Sequence, residues 1–552
     1  MMNNHFRCMA LRGLSLFTAA ALLTACAASQ AAAPATSEST ADEAVTFMAP
    51  YLNVEAFIDK VHSIYPEVNI EIVPYSGDNT TSCIQNMIEA HDLPDICTVT
   101  VYNPMTDDMS DQLIDLAGYD FTDNYIESRL QEVTDNGAIY LLPSVYNCYG
   151  ITYNKTLLQQ NGWTVPTSFA ELEQLAEKAE AAGVALCLPQ SQYPGYGFQY
   201  MCNIADADFL GTLDGKRWQK DYLSGKANVS GTPGMMQAMA YIQKWRDIGM
   251  LNGDGDPTSD EVTRQRMING DALFLLGSTN GIVEADGTRD KFGLMPYLSE
   301  DGSQNVFVLS VNRYFGLNKR LEQNPQKLED ALKVMRVLST VEGTTALYPE
   351  TKVKSSLMPF KNAKANDTYY TDIADALNFG STAPFIYSGW ENTIVTTGNK
   401  MLDFMRGDAT IDEVIAQLDG DQDKVVNNTP DLITTAAEDI PQEDCARLVG
   451  RCFAEATGSD LALVSLGTWI SGNPTEQNHY GVSGKLYAKG LTDYDLSVIL
   501  PTGWNRTIQT VTLTGSQIND LLTEGYDAYG NGKCYPYVLV SPAAVQEGKT
   551  YQ

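Results

Sequence analysis

Histidine is scarce in this chain, with four among 552 residues. His5 falls in the extreme N-terminal segment, and His62, His91 and His479 stand in none of the D-x-H, G-N-H-[DE] or H-E-x-x-H settings that assemble a metal centre. Two-metal phosphoester hydrolysis therefore lacks its ligands. Positive charge is short as well: 36 Lys plus Arg against 69 Asp plus Glu leave a formal charge of -33. Such a field repels nucleic-acid phosphates and anionic headgroups, which excludes nucleic-acid binding. The ten cysteines include no C-x-x-C pair. Cys445 and Cys452 fall about two turns apart on an expected helix, too far to bridge, so isolated thiols serving as small core residues are expected. P-loop and G-x-S-x-G motifs are missing and no Ser/His/Asp triad can be assembled, so no catalytic residue, cofactor or metal is expected. The apolar run Leu14 to Ala25 is too short for a comfortable membrane span and has the length of a secretory core.

That run follows His5, Arg7 and Arg12 and ends in Leu22-Leu-Thr-Ala-Cys26, which resembles the lipobox of bacterial lipoproteins. The resemblance implies that residues 1–25 are a signal peptide and that a lipid on Cys26 anchors the chain to the outer face of the bacterial cell membrane. Each buried methylene of such a lipid contributes about 0.8 kcal/mol. Residues 26–44, rich in Ala, Ser and Thr, read as a flexible tether.

A chain of 552 residues exceeds one ordinary core, so two or three domains are expected. Their grammar is visible between Gly150 and Leu188. Asn154 can cap a short helix that Gly162 closes, and Ser168 with Glu171 forms a capping box. Phe169, Leu172, Leu175, Ala176 and Ala179 share one helical face, and Gly183 ends that helix before the strand Val184 to Leu188. This is an α/β pattern, with helices packed on a sheet. Val45–Met48 and Asn69–Val73 read as strands, Val54–Tyr65 and Ser82–Ala90 as helices. Tyr75 lies in "PYSGDN" just after the second strand, and Tyr102 lies at the carboxyl end of the strand that follows Leu93-Pro-Asp95. Open α/β sheets collect ligands at such ends.

The ordered series Pro66-Glu-Val-Asn-Ile-Glu-Ile, Leu93-Pro-Asp95, Gly137-Ala-Ile-Tyr-Leu-Leu-Pro143, Tyr149-Gly-Ile-Thr-Tyr-Asn-Lys155 and Pro166-Thr-Ser-Phe-Ala-Glu171 resembles the family 1 extracellular solute-binding proteins of ABC importers, the sugar-binding type. "YIQKWRDIGML", "ALFLLGSTNGI", "KFGLMPY" and "GWENTIVTTGNKMLDFMRGDATIDEVIAQLD" continue it in order. The resemblance implies a bilobal, type II periplasmic-binding-protein-like domain over 45–422. Its first crossing between lobes would fall at Tyr140 to Tyr153, with a crossing back near Ala272 and another near Arg313 to Leu317. It further implies a small-molecule solute, a sugar in this type, an ABC permease as partner, and capture without reaction.

A sugar needs hydroxyl partners and flat apolar faces, and 29 Tyr against 17 Phe supply amphipathic rings. Gln190, Tyr193 and Tyr196 read as a Gly- and Pro-punctuated loop after a strand, and Ser278 and Asn280 as a Gly-bounded loop after the apolar strand Ala272 to Leu276. By resemblance Trp390 reaches the cleft, with burial between the lobes as the alternative, and Asp95 holds a position typical of the family, with a turn-capping role as the alternative. "NGDGDPTSDE" departs from a calcium loop at Pro257 and Ser259 and reads as a solvated acidic loop.

After a polar linker over 423–437, the segments "DLALVSLGTWISG" and "GLTDYDLSVILPTGWNRTIQTVTLTGSQINDLL" resemble the C-terminal domain of 5'-nucleotidases, implying a smaller α/β domain over 438–552. In that family a separate metal domain hydrolyses the phosphoester, and its ligands are missing here. A helix from Thr514 is expected to bury Ile518, Leu521 and Leu522. The alternative function is nucleotide or nucleoside binding, or phosphoester hydrolysis, through this domain.

Overall fold

The computed structural model describes residues 43–49, 54–73, 80–100, 107–252, 255–277, 289–348, 357–363, 373, 376–377, 382–384, 390–426, 432–467, 469–470, 473–477, 481–482, 484–499, 508–524 and 537–552. Strand β1 (Val45–Met48) is followed by α1 (Glu55–Ile64), β2 (Ile70–Val73), α2 (Thr80–Glu89), β3 (Ile96–Thr100), β4 (Leu142–Pro143) and β5 (Tyr146–Tyr149). Gly150 alone separates β5 from β6 (Ile151–Asn154). A Cβ there would lie 2.6 Å from the Met295 carbonyl oxygen, so the passage is open only to glycine. The chain continues through α3 (Lys155–Asn161), α4 (Phe169–Ala182), β7 (Ala185–Pro189), α5 (Pro194–Ala205), α6 (Leu213–Leu223), α7 (Pro233–Asp247), α8 (Asp260–Asn269), β8 (Ala272–Leu276) and β9 (Phe292–Met295). Then come β10 (Phe307–Val311), β11 (Arg313–Leu317), α9 (Pro325–Leu338), β12 (Thr382–Pro384), α10 (Glu391–Arg406) and α11 (Ile411–Val426).

Two lobes result. The first is built on a sheet of order β2-β1-β3-β11-β4, in which β1 runs parallel to β2 and β3 while β11 runs antiparallel to β3 and β4. Phe47, Phe57 and Phe315 meet in its core. The second is built on β9-β6-β8-β7, with β8 parallel to β7 and antiparallel to β6. Its core gathers Phe169, Tyr241 and Trp245. A strip of order β12-β10-β5 lies where the chain passes between lobes. The passing segments bond to each other there: Asn312 N donates to Val145 O (2.8 Å), Ser144 N to Arg313 O (2.8 Å) and Arg313 N to Ser144 Oγ (3.1 Å).

Among the described residues the expected return near Ala272 does not occur. All five residues of β8 are buried and the strand sits between β6 and β7, so it is a central strand of the second lobe. The return is made at β10 and β11, as the Arg313 to Leu317 strand implied. Local caps follow the sequence closely. Asn154 Oδ1 accepts from Leu157 N (3.0 Å), Ser168 Oγ accepts from Glu171 N (3.3 Å), and Gly162 and Gly183 take φ of +67° and +69°. The Glu171 carboxylate differs: it turns to the Thr167 amide (2.8 Å) and hydroxyl (2.9 Å), which together outcompete the single amide of Ser168.

The remaining elements are β13 (Leu432–Thr435), α12 (Gln442–Thr457), β14 (Ala462–Ser465), β15 (Gly490–Thr492), α13 (Asp493–Ile499), β16 (Leu513–Thr514), α14 (Gly515–Glu524), β17 (Tyr537–Val540) and β18 (Thr550–Tyr551). Their strands pair as β13 with β15, β14 with β17 and β16 with β18. Cys445, Val449, Val464 and Leu486 share a small separate core. Helix α11 reaches Val426 and β13 begins at Leu432, so most of the expected linker is regular structure. On α14, Ile518 is buried, Leu521 is half-buried and Leu522 is exposed, because Leu522 lies off the face turned to β16 and β17. The seven described cysteines form no disulfide with one another; six are buried and Cys452 is exposed.

Candidate functional site

Four element ends converge on one rim of the second lobe: the carboxyl ends of parallel β7 and β8 and the amino ends of α5 and α8. Gln190 leaves β7 fully buried, its amide donating to Leu276 O (3.0 Å). The next residue beyond β8, Gly277, takes φ +128°, and a Cβ on it would lie 2.1 Å from Gln190 Oε1. The Tyr200 hydroxyl reaches the carbonyls of both Gln190 (2.8 Å) and Leu276 (3.0 Å), tying α5 to the two strand ends.

The expected loop carrying Tyr193 and Tyr196 is a helix start. Pro194 occupies its first position, where a missing N–H costs nothing, and Tyr193 is the residue before it. Tyr193 is 36% exposed, and its ring lies 6.3 Å from that of Tyr196, which in turn stacks at 6.1 Å and 19° on buried Tyr200. A graded ladder of rings thus runs from solvent into the lobe. Burial first, and then the neighbouring Asp260 carboxylate, push the Tyr196 hydroxyl well above the usual phenol range, so it stays protonated as a donor.

Asp260 is the residue that sequence reasoning missed. It is 7% exposed, its amide donates to Gln192 Oε1 (3.1 Å), and its Oδ1 has no hydrogen-bond partner among the described residues. Burial raises its pKa, against the downward pull of the Tyr196 hydroxyl and Arg264. The acidic stretch around it suggested a solvated loop, yet Ser259 Oγ accepts from Val262 N (3.2 Å) and starts α8 there. That Ser-Asp-Glu start was the available signal.

Two other expected residues stand elsewhere. Trp390 is 2% exposed and stacks on Tyr222 at 4.5 Å and 10°, with Phe198 at 5.7 Å, so it lies in the second lobe's core. Asp95, 1% exposed, lies in the first lobe. Its Oδ2 accepts from Thr46 N (2.9 Å), Thr46 Oγ1 (2.8 Å) and Lys327 Nζ (2.9 Å), which joins β1, β3 and α9. Burial would raise its pKa, but Lys327 and Thr46 outweigh that and hold it below the ordinary carboxylate value. Tyr75, Tyr102, Ser278, Asn280 and Cys26 lie outside the described residues.

Among the described residues no group of three or more His, Cys, Asp or Glu could hold a metal ion, and no helix is long and apolar enough to cross a membrane. The arrangement offers flat rings, one buried amide and one carboxylate oxygen. That chemistry suits a neutral, hydroxyl-bearing guest.

Residues 54–373 match the family described as bacterial extracellular solute-binding protein. The maltodextrin-binding protein MdxE of Bacillus subtilis (strain 168) is 25% identical over 185 residues, covering 32% of this chain and 40% of that protein. Apo RafE from Streptococcus pneumoniae superposes with a TM-score of 0.55 at 16% identity, over 69% of this chain and 98% of that one. The bacterial solute receptor AcbH, described as preferring β-D-galactopyranose, superposes with a TM-score of 0.56 at 14% identity, over 69% and 98% of the two chains. The family match spans more than half of the chain and takes in four of the five strands of the first lobe's sheet, the crossings at β5–β6 and β10–β11, and the aromatic rim. This protein therefore belongs to the bacterial extracellular solute-binding protein family.

Proposed function

We propose that the protein is the lipid-anchored, extracytoplasmic binding component of an ABC importer and that it captures a carbohydrate between its lobes without altering it. The observation that carries this reading is the rim at the second lobe, where Gln190, Tyr193, Tyr196 and Asp260 meet at strand and helix ends. The sugar-binding descriptions of MdxE and AcbH support the ligand class. Micromolar capture requires roughly 8 kcal/mol, within reach of stacked rings and several hydrogen bonds. A ligand closes the lobes only as far as it prefers the closed form. In this reading Cys26 carries the lipid, residues 26–44 are the tether, the permease receives the loaded form, and the C-terminal region is a 5'-nucleotidase-like accessory module.

The test is a thermal-shift panel of mono- and oligosaccharides, polyols and nucleosides on the chain lacking residues 1–26. Stabilisation by one sugar class, lost in Asp260→Asn and reduced in Tyr196→Phe, is the expected result. A response to nucleosides alone, or turnover of the bound solute, would replace this reading with one centred on the module.

A further inference from the structure

The C-terminal module does not stand apart from the lobes. Lys489 Nζ donates to Asn86 Oδ1 (2.8 Å) and Glu89 Oε2 (2.6 Å) on α2 of the first lobe, while its own module's Asp495 lies at 3.1 Å. Lys485 Nζ pairs with Asp92 (2.8 Å) and lies 4.6 Å from the centre of the Tyr487 ring, and the Tyr487 hydroxyl donates to the same Asp92 (3.0 Å). Residues 86, 89 and 92 recur every third position, so the module addresses a single stripe of α2 and the turn beyond it. Helix α13 packs against α2 beside these contacts. Burial pulls the Lys489 ammonium toward neutrality, but Glu89 and Asp495 outweigh it and keep the charge firmly in place.

The same module is chained to the other lobe. Helix α11 is part of the second lobe: Val414 and Leu418 are buried in its core, and Tyr222 Oη donates to Leu418 O (2.8 Å). The Asp419 carboxylate accepts from Val229 N (2.7 Å) and Ser230 N (3.1 Å). That helix ends at Val426, and β13 of the module begins at Leu432, already paired with β15. The intervening chain can span at most about 20 Å between Cα atoms at full extension.

We infer that the C-terminal module is a strap across the hinge: docked on the first lobe through Lys485, Tyr487 and Lys489 and chained to the second through α11, it limits how far the cleft opens. The covalent reach between Val426 and Leu432 sets the limit for as long as the module stays docked. A dock made of ion pairs loosens as salt shortens the screening length. The inference rests on the two-lobed fold and is independent of the identity of the solute.

The test uses the chain lacking residues 1–26, with Cys452 and Cys534 replaced by serine and spin labels at exposed Asp59→Cys (α1) and Glu177→Cys (α4). Pulsed EPR distances between the lobes are read without solute, alongside hydrogen exchange of α2. In Lys485→Glu/Lys489→Glu, α2 loses protection and the inter-lobe distances shift longer and broaden, and high salt moves the unaltered chain the same way. Adding Glu89→Lys to Lys489→Glu restores part of both. Loss of α2 protection with unchanged distances would refute the strap, and retained α2 protection in the double charge reversal would refute the ionic dock. Because no solute is present, failure of the sugar panel leaves this result standing.

Discussion

Replacing Asp95 by asparagine separates a structural carboxylate from a ligand-binding one. Three donors converge on its Oδ2 within 2.9 Å, and the side chains of Asp95 and Lys327 are 2% and 14% exposed. Removing one member of a buried pair strands the other charge, which typically costs about 3–5 kcal/mol. Asparagine retains one acceptor, so the lower end of that range, about 3 kcal/mol, is expected for the first lobe at neutral pH. All six tryptophans lie outside the first lobe's described elements, at 163, 218, 245, 390, 469 and 504, so fluorescence would miss the effect. Hydrogen exchange of the β1 and β3 amides reports it directly. The native pKa is lowered, so the stabilisation is complete above the unfolded value near 3.9 and fades as pH falls through the native one. The deficit of the variant therefore shrinks on acidification. In the Lys327→Met background, Asp95→Asn costs much less. A deficit under about 1 kcal/mol, the size expected of an exposed pair, or one that is flat from neutral pH down to acid, would refute the burial argument. Loss of solute affinity with the stability intact would restore Asp95 to the ligand site.

Two further outcomes follow from the second lobe. In Gly398→Ala the new Cβ would lie 2.1 Å from the Pro194 carbonyl oxygen, a backbone atom, so thermal melting should show a loss of about 1–3 kcal/mol, as overpacking does. Asp206 is 2% exposed with both carboxyl oxygens unpartnered among the described residues, and burial holds its pKa well above the usual range despite Lys216. Stability tied to its proton is complete below the unfolded pKa and declines as pH rises, so Asp206→Asn should match the parent in acid and exceed it at neutral pH, by about 1.4 kcal/mol per pH unit of the interval. Melts at two pH values that run parallel would contradict this.

Periodicity and capping made most of the scaffold legible. Asn154, Ser168, Gly162 and Gly183 declare helix ends by local chemistry, and local chemistry survives folding. "YPGYGFQY" reads as a loop because its glycines, taken alone, look like loop residues, whereas the structure makes it a helix start. Gly197 is there because a Cβ would lie 2.5 Å from the Gly398 carbonyl oxygen on α10, two hundred residues away. Trp390 is decided by the ring of Tyr222, and Asp95 by Lys327, contacts that no window of sequence contains. The docking of the module is more distant still, since Lys489 and Asn86 are 403 positions apart.

The close passage of α5 over α10, glycine against main chain on both helices, has a bearing on how such a receptor can change. The height and tilt of α5 are dictated by peptide groups touching peptide groups. Tyr193, 36% exposed at its tip, hangs from a support whose place is set by those contacts and not by its own ring. Exchanging Tyr193 for another ring, or for a smaller group, alters the rim while the beam beneath keeps its place, so variation at that position costs the architecture little.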